Sequence, residues 1–558
     1  MFCKNSFQQI TMMDPLNTMP QYLKKILLKS WAHTFQEYIF PNIKEERFAV
    51  LYSDNHATRP NTPVNIIIGL LILKEIFGLP DEELIGSLHF DTRFQYALRT
   101  TSFEQQPVSI NTLTNFRSRL YNYEKETGID LILQEIEDQA KLIAKYLKID
   151  NQKVRMDSFM VSSSCKKLSR IELVYSVNAK FAKLLNKLAG DAIPEECKAY
   201  LESGHKNETI YRTRDTESES KLEFLLKQAQ VLHKAGLNIG ETATNTEEFQ
   251  LLTRMLKDQL AEDETGKSTP KPGKDIAPDS IQNPTDPDAT YRKKYGKNIG
   301  YVANVAENFD GKNSVITSYD LKQNTYSDSK FADDAISKLE GTSSEKIQLI
   351  VDGAYYEQEK AEDAASKGIE LIPGELVGRK PSTEKLSYSS FTIDEEKNVV
   401  ISCPNNQEPI ETYYDEKGKS YTAKFSKEKC QDCPYIDKCP MKEQKKDNVV
   451  RFSAKRYKTD LQRAKMDTTE YIELVNQRAG VEGIPSVFRR KYQVDRMPVR
   501  GLVRSKAWFG FKVAAYNIKK LINRASGVGL TSLSNLCPDH FRAFFPNGKW
   551  NFCSIRIA

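Results

Sequence analysis

Two aspartates in this chain close short apolar segments: Asp157 in Lys153-Val-Arg-Met-Asp157, and Asp352 in Ile347-Gln-Leu-Ile-Val-Asp352. Both segments read as β-strands that end at the acid. In open α/β sheets functional groups gather beyond the carboxyl ends of strands. Clustered carboxylates repel one another unless a cation sits between them, and hard Mg²⁺ or Mn²⁺ favours such oxygens. Two of these ions about 4 Å apart can stabilise both the attacking and the leaving oxygen of a phosphoryl transfer. Gly353 lets the backbone turn closely beside Asp352. An aspartate at a strand end also serves as a simple turn or helix cap, so neither residue identifies a site alone.

A third acid has to come from the carboxy-terminal side, where Glu473 and Glu482 both stand on helix-like sequence. In Gln477-Arg-Ala-Gly-Val-Glu-Gly-Ile-Pro485, i to i+4 spacing puts Arg478 and Glu482 on one helix face. Taken alone, that pair is an ordinary surface salt bridge of little energetic weight. Gly483 and Pro485 predict a break after Glu482, so Arg489 would share its face only in a helix that continued. From Pro485 to Arg524 eleven Lys or Arg stand against one acid, Asp495, a local +10 in a chain of net charge +6. Arg489, Arg490, Lys491, Arg496, Arg500 and Arg504 belong to this run, which points to a polyanion bound at one place. Its plain alternative is a solvated basic helix face.

Four of the nine cysteines form a cluster, Cys403 and then Cys430-Gln-Asp-Cys433 followed by Cys439. In a reducing compartment such a cluster suits a metal better than a set of disulfides, and four thiolates match a closed, structural Zn²⁺ site. The cysteines flank a β-ribbon expected from Glu411 to Phe425, as in a zinc-ribbon-like knob. Free structural cysteines are the alternative, because the step from Cys433 to Cys439 is wider than a CxxC. Thr265-Gly-Lys-Ser268 lacks the first glycine of a phosphate-binding loop, with Ala261 in its place, and the six histidines form no metal motif.

The elements that must position these groups fall into blocks. Residues 1–148 read as helical, with an apolar stretch from Val64 and a helix start at Ser109 or Asn111 that leads to Arg117 and Arg119. This block is a DNA-binding module or an ordinary bundle. Residues 149–165, 289–378 and 450–530 supply an α/β core. Its parts are the Asp157 strand, a hairpin of Asn298–Ala306 with Ser314–Tyr319, the helix-like Ser327–Leu339, the Asp352 strand, the strand Ile369–Pro373 and the helix Phe509–Leu521. A helical insert at 166–262 and a flexible, Pro- and Asp-rich linker at 263–288 interrupt the core, as does a β-rich insert at 379–449 that carries the cysteines. Residues 531–558 form a tail. At 558 residues the chain exceeds a single core, and 39% hydrophobic with 28% charged residues is ordinary for a soluble protein. The longest apolar run, Ile66–Leu73, is far short of the roughly 20 residues of a membrane span. No apolar signal core follows Lys4, so no membrane contact and a cytoplasmic location are expected.

In order and combination these features resemble DDE transposases of bacterial insertion sequences that carry a helical amino-terminal domain. Arg478-Ala-Gly-Val-Glu482, Arg489 seven residues on, and Arg500-Gly-Leu-Val-Arg504 before a helix resemble the family's carboxy-terminal signature. Asp352-Gly-Ala-Tyr355 resembles its second acid, and Thr285-Asp-Pro-Asp-Ala-Thr-Tyr-Arg-Lys-Lys294 with Gly300-Tyr301 resembles the entry to its second strand. Tyr52-Ser-Asp54 through Arg59-Pro60 to Arg119 resembles its amino-terminal domain. The likeness covers most of the chain outside the helical insert and selects Glu482 over Glu473. It implies a ribonuclease-H-like mixed sheet in which Asp157, Asp352 and Glu482 hold two Mg²⁺ or Mn²⁺ ions. Water would release a 3′-OH at the element's end, and that hydroxyl would attack target DNA. Arg478, Arg489 and Lys491 would hold phosphates of double-stranded DNA, at terminal repeats and target, with a homodimer joining two ends in the nucleoid. The other reading is a catalytically inactive or domesticated relative that only binds DNA.

Overall fold

Alternating burial along one strand sets up the centre of the molecule. In Lys153–Ser162 (β1), Val154 and Met156 are buried on one face and Phe159 and Val161 on the other. Five further strands join it: Thr290–Lys293 (β2), Lys297–Phe309 (β3), Ser314–Gln323 (β4), Ile347–Val351 (β5) and Ile369–Pro373 (β6). The sheet runs β2-β3-β1-β5-β6, with β4 also paired to β3. β3 is antiparallel to β1, β2 and β4, whereas β1, β5 and β6 are parallel. The parallel strands β5 and β6 are short apolar runs, as strands covered on both faces must be. The hairpin between β3 and β4 turns at Gly311, whose φ of 89° belongs to the left-handed region. The expected end of β1 at Asp157 is corrected: the strand runs on to Ser162, because residues 158–162 keep pairing with β3 from Asn304 to Gly300.

This computed structural model describes residues 1–527 apart from 6–13, 56, 102–107, 191–192, 211–216, 263–267, 294–296, 379–383 and 395. Helices Asp328–Leu339 and Gln358–Ser366 cover one face of the sheet through Phe331, Ala332, Ile336 and Ala364. Helices Ala479–Arg490 and Leu502–Gly527 cover the other, where Phe488 and Phe509 meet Phe159 at ring distances of 5.9 and 6.0 Å. The long Leu502–Gly527 helix is shared: its apolar residues pack in one cluster with the amino-terminal helices, including Ile136 and Ile143. Val64–Phe77 is buried on nearly every side, which places it inside that helical layer. The helices inserted after β1, Arg170–Leu188, Ser218–Ile239 and Glu247–Gln259, bury a separate core around Phe181, Leu226 and Leu252.

The expected flexible linker is also corrected. Within residues 268–288, Ser280, Ile281, Asn283 and Asp286 are buried. Asp286 accepts from the Tyr301 and Ser163 hydroxyls at 2.5 Å each and from the Gly501 N–H at 3.0 Å, and Asp288 accepts from the Leu502 N–H at 2.9 Å. Two acids of this segment thus cap the long helix at its start, where orphan N–H groups and the helix dipole favour negative charge. Strands Glu411–Asp415, Ser420–Ser426, Lys442–Glu443 and Asp447–Ser453 form a four-stranded antiparallel sheet over a small core of Phe391, Phe425 and Phe452. The Thr265–Lys267 motif residues and the tail 531–558 lie outside the described residues. Among the described residues no helix is long and apolar enough to cross a membrane.

Candidate active site

The register of two parallel strands fixes the first pair of acids. β1 pairs with β5 through Lys153↔Gln348, Val154↔Leu349 and Arg155↔Ile350. Asp157 and Asp352 each lie two residues beyond the last of these pairs, so they sit at one level on strands that run about 4.8 Å apart. Each backbone turns an amide onto its acid: the Ser158 N–H donates to Asp157 Oδ1 at 2.9 Å and the Gly353 N–H to Asp352 Oδ1 at 2.8 Å. Gly353 is needed because a Cβ there would lie 2.6 Å from the Glu375 carbonyl oxygen, where the chain leaving β6 passes.

Side chains alternate along a strand, so Arg155, Asp157, Phe159 and Val161 share the face covered by the Ala479–Arg490 helix. That helix holds on through Val481, Ile484 and Phe488, buried at helical spacing. It passes through Gly483 and Pro485, which corrects the expected break: apolar burial outweighs the one lost backbone hydrogen bond. Glu482 stands in its first turn, half exposed and paired with Arg478 at 2.7 Å. The other arm of the Arg478 guanidinium lies 3.8 Å from Asp157 Oδ1, so one partly buried cation spans the first and third acids.

Sequence reading missed the clamp beneath this helix. Arg155 is ion-paired with the buried Glu307 at 2.7 Å and donates to the Gln477 carbonyl at 2.5 Å, one residue before Arg478. Lys520 pairs with the same Glu307 at 2.7 Å. A Cβ on Gly480 would fall within 2.2 Å of the Arg155 guanidinium, so Gly480 lets the helix sit down on this clamp. Arg155 and Glu307 are 152 positions apart, and no local pattern links them.

The electrostatics of the site leave negative charge uncompensated. Burial pushes the Asp157 carboxyl up to about 6; Asp352 and Glu482 add in the same direction, while Arg478 and the Ser158 amide oppose them. Burial also holds the Tyr355 hydroxyl well above its ordinary value, with Asp328, Asp157 and Asp352 reinforcing it. Among the described residues no three His, Cys, Asp or Glu side chains already stand as a finished metal cage. The donor set nevertheless fits a hard divalent cation, since oxygen ligands at one level, with one acid destabilised as an anion, are what such an ion would relieve.

Of the other residues singled out, Arg490, Lys491, Arg496, Arg500 and Arg504 are exposed, and Arg504 lies 4.2 Å over the Tyr121 ring. Arg489 turns back onto the core, donating to the Met160 carbonyl at 2.9 Å and pairing with Asp495 at 3.2 Å. The cysteines 403, 430, 433 and 439 lie together in the small β unit. Residues 402–522 match a family model described as a transposase DDE domain, and residues 30–119 match a transposase domain (DUF772). The first stretch contains Glu482, Arg478 and the basic run as far as Lys520; Asp157 and Asp352 fall outside both. No curated protein sequence matches the chain. A solved structure of the piggyBac transposase synaptic complex with hairpin DNA aligns at 8% identity and a TM-score of 0.27, over 92% of this chain and 79% of that one.

Proposed function

We propose, from a chain whose two matched stretches are consistent with a DDE transposase of an insertion element, that it cuts DNA strands at the element's ends and transfers the freed 3′-hydroxyls to target DNA. Asp157, Asp352 and Glu482 are the acids of this reaction. The observation that carries the reading is the β1–β5 register, which sets Asp157 and Asp352 side by side, with Glu482 reached through Arg478 from the helix above. The sheet order, with one long antiparallel strand beside three parallel ones, supports a ribonuclease-H-like core.

The roles of the chain's own residues follow. Asp157 and Asp352, on adjacent strands, give a rigid base for ion ligation, while Glu482 on its half-exposed helix turn completes the set from the DNA side. Two Mg²⁺ or Mn²⁺ ions bound there would supply Lewis-acid stabilisation of charge developing on the attacked phosphate. Arg478 can turn its planar guanidinium from the two acids to phosphate oxygens as DNA enters, since a fork of donors suits either partner. Arg490, Lys491, Arg496, Arg500 and Arg504 hold the duplex backbone. A homodimer in the nucleoid would bring two element ends together.

The test uses the full chain and a supercoiled plasmid carrying the DNA that flanks its gene, with Mg²⁺ or Mn²⁺. Cleavage is expected from the native chain and at least ~10³-fold less from Asp157→Asn, Asp352→Asn and Glu482→Gln, since each removes charge that stabilises the transition state. Undiminished cutting by any one variant removes that residue from the site. DNA binding without cleavage in either metal would instead favour the inactive, DNA-binding relative.

A further inference from the structure

The small β unit holds a feature that strand cleavage does not use. Cys403, Cys430, Cys433 and Cys439 all line one cavity of about 30 Å³, and all four are free thiols. Local backbone structure explains the convergence. Cys403 leaves the strand Val399–Ser402 into a tight turn in which Asn406 has a φ of 53°, the Asn406 N–H donates to the Cys403 carbonyl at 2.8 Å, and the Cys403 N–H donates to Gln407 O at 3.0 Å. Cys430 reaches the same cavity from the short helix Lys427–Gln431. Three turns then wind the chain back: Cys433 N–H to Cys430 O at 3.2 Å, Ile436 N–H to Cys433 O at 3.1 Å, and Cys439 N–H to Ile436 O at 3.2 Å. The Leu386 N–H on the Lys438 carbonyl at 2.7 Å ties this winding to the rest of the unit.

The cavity has room for one small body and suits a soft cation better than water. A buried water needs two to four polar partners, whereas Phe391, Phe425, Met441 and Val450 make much of the wall and the sulfurs are weak acceptors. Asn448 also lines the cavity, is 4% exposed, and leaves its side-chain oxygen without a hydrogen-bond partner. Turned over, its amide N–H₂ would donate to ionised sulfur, the usual second layer of support around a metal. From Lys424 to Lys446 seven lysines face four acids, a local +3.

We propose that Cys403, Cys430, Cys433 and Cys439 bind one Zn²⁺ as a tetrahedral, structural four-thiolate site. Four thiols release four protons, which leaves a centre of charge −2 within a segment whose own charge is +3. Among the described residues no three sulfurs already stand at ion spacing, so binding draws them to about 2.3 Å from the metal by side-chain rotation. Zinc bound in this unit takes no part in the cleavage reaction.

Its test is elemental analysis of the full chain purified without chelator, followed by exchange to Co²⁺. About one zinc per chain is expected, lost together with four reactive thiols on mercurial titration. The Co²⁺ form should show thiolate charge-transfer bands and the intense visible bands of tetrahedral cobalt. Cys430→Ser with Cys433→Ser should lose the metal, whereas Cys165→Ser should keep it. A native chain with less than about a tenth of an equivalent of zinc and only the weak spectrum of aqueous cobalt overturns the proposal, even if the double variant does not fold. So does a Cys–Cys bridge among the four in peptide mass spectra, or full metal content in the double variant.

Discussion

Replacing Asp157 with asparagine is expected to stabilise the fold while it abolishes strand cleavage. Burial, reinforced by Asp352 and Glu482, raises the Asp157 carboxyl from its ordinary 3.8 to about 6. Folding therefore favours the protonated acid. The unfolded chain ionises near 3.8 and the folded one near 6, so this residue's contribution falls as pH rises through that window and is flat above it. At ~1.4 kcal/mol for each tenfold, the ionised side chain costs the fold ~3 kcal/mol at pH 7.5 and about half of that at pH 5. Asparagine carries no charge and still accepts from the Ser158 N–H. Because the Asp157 side chain is 20% exposed, screening trims the gain, and about 1–3 kcal/mol is expected at pH 7.5. Urea unfolding in EDTA, followed by tryptophan fluorescence at both pH values, reads it directly. A D157N chain less stable than the native one at pH 7.5, or a gain that grows toward pH 5, would refute the claim that the acids crowd negative charge at this point.

Further outcomes follow from the clamp and the caps. Glu307→Ala leaves Arg155 and Lys520 facing each other without their shared acid, and should destabilise by about 3–5 kcal/mol in urea titration. Gly480→Ala should leave the melting temperature within a few degrees but reduce plasmid cleavage at least ~10-fold, because its Cβ meets the Arg155 guanidinium and lifts the helix that carries Glu482. Asp286→Ala strips the Tyr301 and Ser163 hydroxyls and the Gly501 N–H of their acceptor, and should cost about 1–3 kcal/mol with faster proteolysis near residue 501. Combined alanine substitution of the exposed Arg490, Lys491 and Arg496 should weaken DNA binding and lower the slope of log affinity against log salt by up to about 3.

Much of the sheet was legible because its strands declare themselves locally. The apolar run before Asp352, the Gly353 beside it and the Asn308-to-Gly311 turn carry their own signals. Asp157 was singled out as the end of a strand, yet it lies inside β1, because Phe159 and Val161 continue the alternation and find partners on β3, far away in sequence. The helix through Gly483 and Pro485 defied local propensity, since only tertiary burial of Val481, Ile484 and Phe488 holds it. Composition misread 268–288 as a free linker, because Asn283 and Asp286 look like loop residues until their partners, up to 215 positions distant, are in place. The Arg155–Glu307 clamp has no short-range signature at all.

In the proposed function Asp157, Asp352 and Glu482 hold divalent metal at one place. Loading the full chain with Fe²⁺ and generating hydroxyl radicals with ascorbate cuts the backbone beside the bound ion. Peptide breaks are expected close to residues 157, 352 and 482 together, suppressed by excess Mg²⁺ and absent from Asp352→Asn. Breaks elsewhere, or the same pattern in Asp352→Asn, would contradict it.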